Sequence, residues 1–546
     1  MSTLKVGEIK HENFTGTTQL KLDNSGQLGI GKTPGVLLDV NADAKINSIS
    51  IGKGANSVAG NTVLGESALD ASVSGGENTA IGKESLTSLT SGARNTAVGA
   101  NSLDALTSAD NCTGIGNDAL TANTTGANNT AVGSFAGNGI TTASNCTALG
   151  KGTLNATTTG DNNTGVGHGA MASNTDGSQN TAVGSLALDA NTTGSNNIAV
   201  GYSSLTTNTT ASNNTAVGME SLKLNTTGAS NVAVGKDCLE ANTTANNNTG
   251  VGFESLKANT TASNNTGIGF GSFTANTTGT KNTGVGAYSG NANTTASDNT
   301  IVGYNAGLSN TTGSSNTVLG SDALRLNTTA SNNTAIGFDA LYSNTTGYSH
   351  VAVGAEALDA NTTGTQNTAV GMQSLSTNTT ASNNTGCGFQ SLYLNETGAD
   401  NVAVGKEALR ANTTASNNTA IGSTALKANT TGIENSALGT NALDANTTGN
   451  QNTALGYKAL TENTTGSNNV GVGKDALQEN TTASNITGVG ANALAANTTG
   501  ASNTAVGANA LDANTTGQQN NAFGHNALTA NTTGSFHVAI GEQSLA

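Results

Sequence analysis

From Gly65 to Gly541 a glycine returns at every seventeenth position. The span of 541 − 65 = 476 residues is 28 steps of 17, so 29 repeats follow one another without an insertion or a deletion. Residues 503–519, "NTAVGANALDANTTGQQ", give a representative unit. A fixed short period means that each unit is one small structural module, closed only by stacking on its neighbours, as in solenoids. Strict spacing over so many copies requires every coil to seat on the next one, because one extra residue would break the stack unless it looped out.

The composition agrees with a thin stack rather than a thick core. Of 546 residues, 72 are Gly, one is Pro and none is Trp, and aromatic residues make up 3%. Too few large apolar side chains are present to build an ordinary globular interior. The small apolar residues nevertheless recur at fixed places, which a disordered chain does not show. Net charge is −15, which argues against a nucleic-acid partner, since phosphate binding uses clustered Lys and Arg. No run of 18 apolar residues predicts a membrane-spanning helix. The start, "MSTLKVGEIKHENF", lacks an apolar leader, so folding in a cytoplasm is expected.

Taking the recurring glycine as position zero, the residue before it is apolar in every copy, for example Val98, Ile115, Leu149, Val506 and Ile540. Position −3 is Thr or, less often, its near-isosteres Val and Ile, with few exceptions, as in Thr504, Val232, Val402 and Val538. These two alternate onto one face of a short strand, and that face is expected to fill the coil. Position −2 is Ala or Gly in 26 of 29 copies, the exceptions being Val63, Ile301 and Val318. Read as the outer face, a position that never takes Lys, Glu or Gln implies another surface packed closely against it, most simply a second copy of the chain. Leu at +4 (Leu188, Leu358, Leu511) forms a second expected buried column, on a corner, a second short strand or a single helical turn. In the copies containing Gly137 and Gly290, Phe135 and Tyr288 are expected to refill the gap that the missing Leu leaves.

"NTTG" or "NTTAS" follows, with Asn at +7, and a second Asn column at −4 fills 24 of 29 copies. Asn and Gly suit the left-handed backbone of tight corners. Stacking sets equivalent amides about 4.8 Å apart, within reach of hydrogen bonds along the axis. The structural positions expected in one unit are therefore Asn503, Thr504, Val506, Gly507, Leu511, Asn514 and Gly517. Twenty-nine coils at about 4.8 Å predict a rod of roughly 14 nm.

The unit "NTAVGxxALxxNTTGxxN" resembles the low-complexity repeats of bacteriophage tail fibres. "HVAIG" (537–541) and "NVAVG" (231–235) are similar to the head repeats of trimeric autotransporter adhesins, a family of trimeric parallel β-rolls with shorter repeats. "MSTLKV" and "GQLGIGKTPGVLLDVNADAKI" (26–46) resemble the virion-attachment end of phage fibre proteins. The resemblances imply a homotrimer, a virion tail or baseplate protein as partner of the N-terminal end, and a virion location. A host surface glycan as ligand class is a separate expectation, drawn from the aromatic residues that follow the recurring glycine.

Sharper chemical readings of individual motifs fail. Gly26, Gly31, Lys32 and Thr33 match the Walker A spacing, but Pro34 stands where a helix should begin. The flanks "TTQLKLD", "QLGIG" and "VLLDV" read instead as short antiparallel strands joined by turns. Cys112, Cys146, Cys238 and Cys387 occupy ordinary repeat slots without metal-site spacing. His350 and His537 replace the corner Asn, and His168 and His525 follow the recurring Gly. The many "NTT" sequons are explained by the corner. Ice binding is disfavoured, because adjacent threonines on a strand face opposite ways. Aromatic side chains gather at +1, among them Phe253, Phe270, Tyr304 and Phe338, which are the candidates for stacking on sugars.

The expectation is an all-β, parallel β-solenoid of 29 coils over residues 51–546, preceded by a small β region (1–50) for attachment. The expected role is the structural rod of a phage tail fibre, with no enzyme activity, catalytic group, cofactor, metal, nucleic-acid partner or membrane insertion. A bacterial surface adhesin or stalk is the alternative, with an ice-binding solenoid third. Because the sequence stops at "GEQSLA", part-way through a repeat, another fibre subunit or another copy is expected to dock at that end.

Overall fold

A computed structural model describes residues 43–545, together with the backbone of three earlier strands, β1 (Leu20–Leu22), β2 (Leu28–Ile30) and β3 (Leu38–Val40). β1 pairs antiparallel with β2, as the turn signals predict, whereas β2 and β3 pair in parallel. Gly31, Lys32, Thr33 and Pro34 lie outside the described residues. An antiparallel hairpin, β4 (Ala44–Ile46) and β5 (Ile49–Gly52), then leads into β6 (Thr62–Gly65), the first strand of the repeat.

From β6 onward the protein is a parallel β-solenoid of 17 residues per turn, with one three-residue strand in almost every coil. It divides into two compact units, Met1–Asn247 and Asn248–Ala546. The first unit carries eleven repeat strands, Thr62–Gly65 to Val232–Val234, and the second carries eighteen, Thr249–Val251 to Val538–Ile540. Within each, every strand pairs in parallel with the next in strict 17-residue register, such as Thr130↔Thr147 in the first and Val402↔Thr419 in the second.

The sequence reading placed the strand faces the wrong way round. The −2 residue points inward: Ala97, Ala216, Ala352 and Ala505 are completely buried. The −1 residue points outward, with Ile115 38%, Leu319 49% and Val506 37% exposed. The reason is the width of the coil. Its interior is one strand facing one leucine, so the strand side can hold only Ala or Gly. At Gly471, a Cβ would already lie 3.2 Å from Leu460 Cγ of the preceding coil. Small residues at −2 thus report a narrow interior and carry no information about an outer partner.

The leucine arc is neither a strand nor a helical turn. Positions +2 and +4 both take left-handed backbone angles, for example Glu407 (φ 57°) and Leu409 (φ 50°). A buried leucine in that conformation is strained by about 1 kcal/mol. Coil-to-coil hydrogen bonds offset this: Leu409 N–H donates to Ala425 O (3.0 Å) and Glu407 N–H to Phe389 O (2.8 Å). Phe135 and Tyr288 do not refill the gaps left at +4, since both are more than a third exposed. The Ile140 side chain, fully buried, fills beside Gly137, and the Phe273 ring of the preceding coil covers Gly290. At Gly307 the filler is Ile301, which explains that exception to the −2 rule.

Candidate functional surface

The lattice of the coil consumes most of the polar side chains. In the representative unit, Asn503 is buried, donates from Nδ2 to Gly517 O (2.7 Å), and accepts from Asn520 N–H at its Oδ1 (2.9 Å). Asn514 donates to Asn497 Oδ1 (2.8 Å) and to Gly517 O (3.0 Å). Leu511 is buried with φ 52°, Gly507 has φ 140°, Thr504 N–H donates to Asn520 O (2.8 Å), and Val506 faces out. Buried amides that meet both donor and acceptor needs hold adjacent coils at one height.

Substituted corners keep the same bonding with other chemistry. Cys112 Sγ donates to Gly126 O (3.2 Å) and Cys146 Sγ to Gly160 O (3.4 Å), the bonds an Asn Nδ2 makes elsewhere. Burial pushes both thiols up, and that of Cys238 to about 12, so none of the three is a nucleophile at neutral pH. His350 replaces Asn completely: Nε2 meets Gly364 O at 2.7 Å, and Nδ1 accepts from Asn367 N–H at 3.2 Å. Burial holds its imidazole neutral, with a pKa near 4 instead of 6.5. Among the described residues, no group of three or more His, Cys, Asp or Glu side chains converges as a metal site would.

The threonine pair splits by role. The +8 hydroxyl donates to a backbone carbonyl of the next coil, as from Thr345 Oγ1 to Thr362 O (2.9 Å), while its +9 neighbour Thr346 lies exposed. The aromatic candidates at +1 are all on the surface: Phe253 37%, Phe270 44%, Tyr304 54% and Phe338 54% exposed. Phe253 and Phe270 stack with ring centroids 5.2 Å apart, and Tyr288 meets Phe270 edge-on at 5.1 Å. Tyr304 and Phe338 stand two coils apart in the same column, each about half exposed.

Beside this column runs the strand face at −3 and −1, expected inside the coil from the sequence and found outside it. Its alternation was legible, and the small size of −2 was the signal that could have oriented it. No protein-family model matches the chain, and no curated protein sequence matches it. No helix among the described residues is long and apolar enough to cross a membrane.

Proposed function

We propose that the protein is the structural rod of a phage tail fibre, working as a homotrimer that carries or supports host attachment. A parallel β-solenoid of this kind fits a structural rod or fibre. The observation that supports the reading is the side-chain ladder at +7, which runs from Asn259 to Asn531 in the second unit with an Asn Nδ2 to Asn Oδ1 bond at every step. Each coil bonds its neighbours through backbone, Asn and Thr groups at once, so resistance to bending accumulates coil by coil. The role is mechanical, and the partners expected at the two ends are a tail or baseplate protein and a further fibre subunit.

The test is electron microscopy of virions carrying a label at residue 10. A label at the tail-proximal end of a fibre supports the reading. Label density on a bacterial cell surface, with none on virions, replaces it with the adhesin or stalk alternative.

A further inference from the structure

The strand face at −3 and −1 is the surface with the most regular chemistry and the least accounted for. Across 29 repeats these are 2 × 29 = 58 positions, and none is charged, in a chain with 53 charged residues (19 basic and 34 acidic). Position −1 is Val, Ile or Leu, with Cys387 and Phe523 as the two departures. Charges do occur in the flanking columns: Arg94, Lys281 and Asp400 at −5, and Lys151, Lys236 and Lys406 at +1. The absence of charge is therefore specific to this face and not a property of the surface.

Water does not favour such a face. Ile268 (39%), Val285 (37%), Leu319 (49%), Ile421 (37%), Leu438 (47%) and Leu455 (43%) are all exposed in the second unit. Of the eighteen −1 side chains of the second unit, eleven are exposed and seven half-buried; at roughly 50 Å² open for each, they present on the order of 900 Å², against the ~800 Å² per partner of a stable interface. Single chains seldom expose a contiguous apolar patch of more than a few hundred Å².

We infer that this face is buried against further copies of the same chain, lying side by side, parallel and in register. The inference rests on the homotrimeric reading above and names the surface that would carry it. A second copy is the occupant because within each unit the face repeats at the coil spacing from strand to strand, and the same unit of another copy repeats at the same spacing. Parallel, unslipped packing covers the most area, since each coil of slip uncovers a strand at either end. In that arrangement like residues meet: Cys387, the one exposed cysteine, faces Cys387, while Cys112, Cys146 and Cys238 stay buried within their coils.

The test uses the full chain. Sedimentation should show an assembled species, and Val404→Lys, Ile421→Lys and Leu438→Lys combined should reduce its mass to that of one chain while the β-sheet circular dichroism is retained. Asn417→Lys, on the exposed polar column beside it, should leave the mass unchanged. An assembly that survives the triple substitution overturns this face and leaves the homo-oligomer reading standing; an unsubstituted chain that sediments as a monomer overturns both. Should the triple variant unfold, treatment of the unsubstituted chain with a mild thiol oxidant decides the matter. Covalent chain pairs, absent from Cys387→Ser, are expected, and single chains alone would overturn the in-register face.

Discussion

The early coils of the first unit and the coils of the second build the same corner from different chemistry. At +7 the first unit has Leu89, Leu106 and Ile140, all buried, and Thr157, whereas the second keeps Asn in every coil from Asn259 to Asn531. The backbone is indifferent to the exchange: the N–H of Leu106 donates to Leu103 O at 3.2 Å, and that of Asn412 to Leu409 O at 3.2 Å. The corner is thus set by repeat length and backbone bonding. The side chain inside it must fill the space and, if polar, must be matched above and below. A ladder is easier to extend than to interrupt, and Asn runs unbroken at +7 from Asn174 onward, whereas in the early coils Asn123 stands alone between Leu106 and Ile140.

The largest loss of stability is expected where both kinds of corner depend on the same glycine. Gly371 has φ +130°, and a Cβ there would lie 2.5 Å from Gly388 O and 2.7 Å from its carbonyl carbon. Gly371→Ala should cost more than about 3 kcal/mol, through backbone strain plus a clash with backbone that cannot move aside. The equivalent change at Gly116, in the first unit, should cost as much, and chemical denaturation followed by local hydrogen exchange would check both.

At the corner held by His350 the matching of buried polar groups depends on pH. The folded-state pKa of His350, near 4, lies below its unfolded value near 6.5. Its contribution to stability is therefore present above pH 6.5 and lost as pH falls from 6.5 to 4, by up to about 3 kcal/mol. His350→Asn restores the resident side chain and should abolish that loss. Burial raises the carboxyls of Asp339, Asp359 and Asp444, an effect of opposite sign, present below the usual carboxylate pKa and lost as pH rises. The His350 term is read as the difference between the two proteins across pH 4–7, by amide exchange in that coil.

Interrupting a ladder directly comes next. Asn412 donates to Asn395 Oδ1 (2.7 Å) and Ala415 O (2.9 Å), and accepts from Asn429 (3.0 Å). Asn412→Leu should cost about 2–3 kcal/mol, because buried amides lose partners. Leu106→Asn in the first unit should cost about 1–2 kcal/mol, since Asn123 stands on only one side of it. Leu89→Asn combined with Leu106→Asn should cost less than the sum of the two, and a double-mutant cycle in urea measures that coupling. The smallest effect is expected of Thr345→Val, which removes one hydroxyl-to-carbonyl bond and should cost about 1 kcal/mol.

The period, the strand at −3 to −1, the two Asn columns and the Leu column were all legible in the sequence, because each follows from spacing and residue type. Two features were not. Alternation along a strand divides residues between two faces without saying which is inside, and here the interior is so narrow that alanine, not valine, belongs there. The left-handed backbone at +2 and at the +4 leucine was also hidden, since an isolated leucine avoids that conformation and only hydrogen bonds to neighbouring coils hold it. Likewise, Gly137 and Gly290 looked like gaps to be refilled by Phe135 and Tyr288, but Ile140 and Phe273 fill them from the same and the preceding coil. The sequence by itself determined a stack of 17-residue coils tied by Asn and Gly. The tertiary structure alone decided which face of each strand the stack encloses, because that depends on the distance to the leucine opposite, a quantity no single repeat encodes.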